Sequence, residues 1–145
     1  MIRPLVEDDL DRVIEIELSA YPFPWTQGIF ADCIRVGHDC SALQAGHALI
    51  GYVVQTHAAG ESHLLNLCIS PQWQSNGYGS LLLDHAIRRA RRHYCSNMFL
   101  EVRPSNPAGI GLYQRKGFGV VARRPAYYRA GEGQREDAII MRLDL

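Results

Sequence analysis

Apolar positions recur along the chain in two periods, and these periods predict most of its elements. Leu10, Val13, Ile14 and Leu18 repeat at helical spacing, which predicts a helix from Glu7 to Ser19. The acids Glu7, Asp8 and Asp9 suit the positive end of that helix. Residues 1–6 before it read as a short strand. Tyr21-Pro22-Phe23-Pro24-Trp25 ends the helix, because two prolines favour extended backbone, and its three aromatics give the loop contact surface. Thr26 is placed to cap a second helix reaching about Arg35. Residues 41–45 and 48–57 read as strands around Ala45-Gly46-His47. Leu64 to Ser70 is nearly all apolar, so a strand buried on both faces is expected there.

The clearest helix spans 77–94. Leu82, Leu83, Ala86, Ile87, Ala90 and Tyr94 form its apolar face, with Asp84, Arg88, Arg91 and Arg92 opposite. Met98 to Arg103 alternates as a strand. Asn106-Pro107 then opens a helix, with Asn as cap and Pro in the first turn, and Gly117 stops it after Lys116. Phe118 to Arg124 and Asp137 to Leu143 predict two last strands, separated by a long loop over 125–135. Strands and helices alternate in the way of an α/β sheet covered by helices.

A chain of 145 residues is the size of one domain, 1–145, and long enough to bury a core without disulfides or metal. Residues AVILMFWYC make 47% and DEKR 21%, which excludes a disordered chain. No apolar run nears the ~20 residues that span a bilayer, and Met1 to Leu5 leads into acids rather than a signal-peptide core. No membrane partner and a cytoplasmic location are therefore expected. Net charge is zero, yet residues 1–32 carry −5 and residues 85–129 carry +9. The basic part suits an anionic cofactor or nucleic acid, the acidic part a cationic substrate, and each also fits an ordinary solvated surface. Cys33, Cys40, Cys68 and Cys95 form no C-x-x-C pair, and the six His are scattered, so no metal site is expected.

One motif follows the apolar strand. Gln74-Ser75-Asn76-Gly77-Tyr78-Gly79-Ser80 leads through a glycine turn into the long helix. Such a turn offers free backbone N–H groups and the positive end of a helix dipole to an anion, a phosphate above all. Glycine lets a phosphate approach the backbone. A Walker loop would need Gly-Lys-Ser/Thr, and a dinucleotide fingerprint would need Gly where Leu82 stands. The form Gln-x-x-Gly-x-Gly fits.

This loop resembles the pyrophosphate loop of the GNAT superfamily of acetyl-CoA-dependent N-acyltransferases. Three further segments resemble the same family in the same order: Leu100-Glu101-Val102-Arg103-Pro104-Ser105-Asn106 with Leu112-Tyr113 and Gly117-Phe118, then Tyr127-Tyr128, then Glu136 to Met141. Phe23-Pro24-Trp25-Thr26, with Phe30, is similar to the RimI-type branch, the ribosomal-protein alanine N-acetyltransferases. The resemblance covers essentially the whole chain. It implies a single-domain GNAT fold with a central mixed sheet, splayed where the cofactor enters, and helices on both faces. It implies acetyl transfer from acetyl-CoA to a protein N-terminus, that of a small-subunit ribosomal protein beginning with alanine. Acetylation of lysine side chains or small amines is the alternative, and an Arg-rich nucleic-acid-binding module the remote one. No direct nucleic-acid binding is expected on the first reading.

The chemistry sets the residue roles. An amine must lose a proton before it attacks, and a departing thiolate gains from receiving one. Glu101 is the candidate base: it shares a strand face with Phe99 and Arg103, where partial desolvation would strengthen it. Pairing with Arg103 or another Arg is its competing, structural role. Tyr113, on the following helix, is the candidate acid, and a core tyrosine is its alternative. By the resemblance, Ser75, Asn76, Gly77, Tyr78, Gly79 and Ser80 hold the pyrophosphate. Leu67, Cys68 and Ile69 pair with the pantetheine arm through their backbone, and Asn106 contacts the cofactor besides capping its helix. Gly109 and Gly111 depart from the family, which often has Ala there; each costs roughly 0.8–1 kcal/mol of helix propensity. A looser helix or a close backbone approach is expected. The Pro/aromatic loop 21–25 and the hairpin loop at Tyr127-Tyr128 are placed to wall a peptide groove, with simple packing as the alternative; Glu15 and Glu17 read as a solvated helix face, although they are placed to attract a cationic peptide.

Overall fold

The computed structural model covers residues 1–145. Its strands are β1 (Ile2–Pro4), β2 (Asp39–Ala45), β3 (Ala48–Ala58), β4 (Glu61–Ile69), β5 (Asn97–Val102), β6 (Gly119–Arg129) and β7 (Arg135–Asp144). They form one sheet in the order β1-β2-β3-β4-β5-β7-β6. Only β4 and β5 run parallel; every other pairing is antiparallel. The helices are α1 (Leu10–Ala20), α2 (Gln27–Arg35), α3 (Tyr78–Arg92) and α4 (Pro107–Arg115).

The helices divide between the two faces, as the resemblance implied. α1 and α2 pack Leu10, Val13, Ile16 and Phe30 onto Ala42, Tyr52, Val54 and Cys68. On the other face, Leu82, Leu83, Ala86 and Ile87 of α3 meet Ile50, Val53, Leu64, Met98, Leu100 and Met141. Thr26 caps α2 as expected, its hydroxyl accepting the Ile29 N–H at 3.2 Å.

Several expectations change. Residues Glu7–Asp9 form a 3-10 turn rather than the first turn of α1. The Asp9 carboxylate accepts from Val6 N–H and from both forks of Arg3, which holds that turn onto β1. The buried stripe of α1 is Leu10, Val13, Ile16 and Glu17, and Leu18 is exposed. Tyr94 lies past the end of α3 and is 92% exposed rather than part of its apolar face. β4 is not buried on both faces: Leu65 is exposed, and Asn66 and Leu67 are half-buried, because the sheet opens beside them. The loop expected over 125–135 is largely strand. β6 continues to Arg129 across a register shift between Arg124 and Tyr128, with Ala126 at a φ of 50°.

Four of the ten basic residues over 85–129 have acidic partners. Arg89 pairs with Asp39, Arg103 with Glu136, Lys116 with Asp84 and Arg123 with Asp137.

Candidate functional site

The opening beside β4 is built by one extra residue. β4 pairs with β3 as Val54↔Asn66 and then Gln55↔Leu64, so Leu65 is unmatched and bulges. On its other edge β4 pairs with β5 only over Glu61–Leu64 with Asn97–Leu100. Beyond these four rungs the two strands diverge, and a cleft of about 470 Å³ lies between them. Past the bulge, Ser70 donates its N–H to Ile50 O, so antiparallel alternation turns the backbone of Leu67 and Ile69 away from β3, and Leu67 lines the cleft. Cys68 sends its side chain into the core beneath α1, where burial pushes the thiol up to about 12. It is a packing residue with useful backbone neighbours, not a nucleophile.

At the far end of β4 the chain turns through residues 74–80. The amides of Ser75 to Ser80 donate to no acceptor in the protein; the first bond of the α3 ladder is Leu81 N–H to Gly77 O. Six consecutive free donors at a helix start make an anion cradle. Gln74 and Asn76 hold the turn's shape by donating to Ile69 O (2.9 Å) and Gln74 O (2.9 Å). The two glycines differ in purpose. Gly77 has a φ of 85°, a left-handed conformation, and a Cβ there would point into open space. Gly79 is helical, and its Cβ would face inward, 3.4 Å from Leu112. Gly77 carries the turn's left-handed backbone, and Gly79 brings α3 close to Leu112 of α4.

Glu101, Tyr113 and Asn106 all line the cleft. β5 alternates as the sequence predicts, with Leu100 and Val102 buried and Glu101 exposed. The expected desolvation of Glu101 is absent, because the strands have already parted at its level. Its competing role is absent too, since Arg103 pairs with Glu136 at 3.2 Å. Tyr113 is buried against Phe118, ring centroids 5.8 Å apart, and its hydroxyl bonds to no protein group. Burial raises it above the ordinary tyrosine range, with Tyr128 and Cys68 adding to the shift, so it stays protonated as a donor. Asn106 caps α4, its Oδ1 accepting from Gly109 N–H at 3.0 Å. Of the two expectations for Gly109, the close approach is the one realised: a Cβ there would stand 2.6 Å from Asn106 Nδ2.

Tyr21 and Tyr128, from the two aromatic segments read as walls of a peptide groove, both line the cleft; the places of Glu17 and Arg103 were not legible. Glu17 is 2% exposed, not on a solvated face; it accepts from Tyr52 Oη (2.7 Å), Asn66 Nδ2 (3.1 Å) and Trp25 N–H (2.9 Å). It thereby ties the Pro/aromatic loop to the sheet. Tyr21 donates to Leu67 O at 2.6 Å. Burial pushes the Tyr128 hydroxyl up to about 12, and the Glu101 carboxylate facing it adds to the rise. Arg103 lies between Phe23 and Tyr128, its guanidinium carbon 4.8 and 4.3 Å from their ring centroids. The available signal was the density of aromatics in both loops, which suggested a wall without specifying contacts.

Away from the cleft, Asp39, His57 and His93 bring potential metal-ligand atoms within 4.8 Å of one another. Their arrangement is that of a hydrogen-bond network around the Asp39–Arg89 ion pair. Asp39 Oδ2 takes both His57 Nε2 (3.0 Å) and Arg89 Nε (2.9 Å), and the imidazoles stack nearly parallel at 4.1 Å. Ring-plane lone pairs so stacked do not converge on one ion.

A model of the acetyltransferase (GNAT) family matches residues 10–118. The [ribosomal protein bS18]-alanine N-acetyltransferase of Haemophilus ducreyi is 32% identical, with both chains covered in full. The enzyme of that name from Escherichia coli K12 is 33% identical over 99% of this chain and 97% of its own. The crystal structure of the Escherichia coli ribosomal-protein-S18-alanine N-acetyltransferase superposes with a TM-score of 0.91, covering 99% of this chain and 92% of that one.

Proposed function

The chain belongs to the GNAT family of acetyltransferases, and on that premise we propose that it acetylates the N-terminal α-amino group of a ribosomal protein beginning with alanine, in the cytoplasm, with acetyl-CoA as donor. The observation that carries the reading is the convergence of Glu101 and Tyr113 on one cleft lined by Leu64 to Leu67 of β4, the strand whose far end leads into the cradle of free amides at 75–80.

The residues fit the donor they would hold. Six free amides at the start of α3 match a pyrophosphate, and Gly77 leaves its approach open. The N–H groups of Leu67 and Ile69 offer donors to an extended amide chain, while Tyr21 and Gln74 occupy the two carbonyls. Bound there, acetyl-CoA supplies an acyl group activated as a thioester. The chain's own groups then handle two protons. Glu101, open to the cleft, accepts one from the incoming ammonium, directly or through a water, and so frees the nitrogen lone pair. As the nitrogen bonds to the acyl carbon and the C–S bond breaks, Tyr113 gives its Oη proton to the departing sulfur; the second proton shed by the nitrogen restores the tyrosine through water, and the one on Glu101 passes to solvent. Glu17 and the Pro/aromatic loop, with Tyr128 opposite, form the walls between which a peptide would lie.

The test is transfer of a labelled acetyl group to a peptide panel: free N-terminal alanine, blocked N-terminus with an internal lysine, and a polyamine. Labelling of the first alone supports the reading, and labelling confined to lysine or polyamine overturns the substrate class. Glu101→Gln keeps the shape but takes no proton. Turnover should fall by about 10²–10⁴ with acetyl-CoA affinity retained, and the deficit should shrink at high pH, where more amine is already neutral. A deficit independent of pH would give Glu101 a structural role.

A further inference from the structure

Two segments far apart in sequence form the acceptor walls, and nothing in the backbone joins them. The loop 21–26 hangs between α1 and α2, and the other wall is the β6–β7 hairpin. Neither wall is backed by a helix: β6 is exposed along its length and forms the sheet edge. The ladder of β7 on β5 fixes the hairpin as far as Ile139 opposite Val102, and beyond it the hairpin reaches loop 21–26 through side chains.

Glu17 holds one end of the first wall through the Trp25 N–H. Tyr21 holds the other end by donating to Leu67 O at 2.6 Å, and the middle of the loop, at Phe23, meets Arg103. Its guanidinium rests against the ring of Phe23 from the first wall and that of Tyr128 from the second. The same group donates from Nη1 to Arg129 O at 2.7 Å and to Glu136 Oε1 at 3.2 Å, both in the hairpin. Glu136 in turn accepts from the N–H and hydroxyl of Ser105, so the bond network returns to the segment that carries Arg103. The side chain is only 21% exposed, which keeps these contacts partly desolvated.

We infer that Arg103 is a positioning residue for the acceptor: it latches the Phe23 wall to the Tyr128 hairpin across the mouth of the cleft, and so sets the groove width that an N-terminal peptide meets. This rests on the proposed acetylation of protein N-termini. Arg103 follows Glu101 by two residues, yet it bonds to the walls and not to the carboxylate. It contributes to holding the peptide, not to moving a proton. A lysine cannot replace it, because only the planar fork can lie against two rings while donating in its own plane to Arg129 and Glu136.

The experiment is steady-state kinetics of the wild type, Arg103→Ala, Arg103→Lys and Phe23→Leu. The acceptor is a ten-residue peptide with a free N-terminal alanine, taken from the N-terminus of bS18. Acetyl-CoA affinity is measured by calorimetry on each variant. In Arg103→Ala the peptide KM should rise about tenfold, the scale of one desolvated cation–π contact, with kcat within about twofold and acetyl-CoA affinity unchanged. Arg103→Lys should recover only a small part. Phe23→Leu should raise KM by itself and add little in combination with Arg103→Ala, since both remove the same latch. An unchanged KM overturns the inference. So does a fall in kcat that outweighs the change in KM, or a parallel loss of acetyl-CoA affinity. If Arg103→Ala does not fold, Phe23→Leu and Tyr128→Leu test the latch from its two ends, and normal KM in both refutes it. Wild type that acetylates no N-terminal peptide would overturn the proposed function itself, a result distinct from all of these.

Discussion

Gly109 offers a quantitative test of why this chain departs from its family in α4. Ala at that position would ordinarily strengthen the helix by about 0.8–1 kcal/mol. Here the added methyl would stand 2.6 Å from Asn106 Nδ2, 3.0 Å from Cγ and 3.1 Å from Oδ1. Carbon atoms in contact sit about 3.5–4.0 Å apart, so the whole amide must turn away. Doing so breaks the cap that Asn106 Oδ1 makes to the N–H of residue 109. Loss of such a cap costs about 0.5–2 kcal/mol. The two terms nearly cancel, and Gly109→Ala should change stability by about 1 kcal/mol or less, as read by urea denaturation. Function should not be so balanced. Asn106 lines the cleft, and turning its amide removes it from any contact with the donor. Calorimetry should show acetyl-CoA affinity falling about fivefold, the worth of one hydrogen bond. Asn106→Ala should show the same loss of affinity with the cap removed outright. A Gly109→Ala protein stabilised by the full helix propensity, with normal affinity, would refute the argument, because it would mean that Asn106 never moved.

Tyr113→Phe removes one oxygen and leaves the packing on Phe118, so the fold should persist while turnover drops by up to about 10²–10⁴; an acyl donor with a more acidic thiol should recover part of the rate, and full activity with acetyl-CoA would make Tyr113 a packing residue. Gly77→Ala must hold a left-handed φ of 85°, which costs roughly 1–2 kcal/mol, and should weaken acetyl-CoA binding. Gly79→Ala should cost far less in both respects, since its methyl meets Leu112 at 3.4 Å and faces the core; equal losses in the two variants would refute the division of roles. Arg89→Met probes pH dependence through Asp39. Burial raises the Asp39 carboxyl, but the hydrogen bonds from Arg89 and His57 outweigh it and hold the group below the usual range. A depressed carboxyl stabilises the fold above the unfolded value and loses that contribution as pH falls through the folded one. Thermal melts should show the variant about 1 kcal/mol less stable at neutral pH, a modest figure because Arg89 is 37% exposed. The gap should close below about pH 4, and a gap unchanged down to pH 3 would refute the linkage.

What the sequence disclosed and what it hid follow one rule: local patterns were legible, and pairings between distant segments were not. The face of α3 from Leu82 to Ala90 and the alternation of Leu100, Glu101 and Val102 depend only on periods of 3.6 and 2, and both were read from the chain. The continuation of β6 past Pro125 depends on β7, and nothing near Tyr127 and Tyr128 announces it. Glu17 reads as a surface acid because its donors arrive from residues 25, 52 and 66. The bulge at Leu65 has no composition of its own; it emerges only when β4 is set against β3. The same holds for the candidate site. Glu101, Tyr113 and Asn106 were found by resemblance and do share a cleft, whereas the contacts of Arg103 appear only when two loops meet.

The short pairing of β4 with β5 also has a mechanical meaning. Four rungs in the middle of a seven-stranded sheet make a seam, backed on one face by the core under α3 and open on the other. A ligand lying along Leu67 and Ile69 would supply the missing rungs, so it would act as a removable strand as well as a reactant. The molecule's rigidity would then follow the supply of its own donor. Acetyl-CoA at one hundred times its dissociation constant would add about 2.7 kcal/mol to the stability of the fold. Much of that gain would be felt at the seam, where amide exchange in β4 and β5 would slow together.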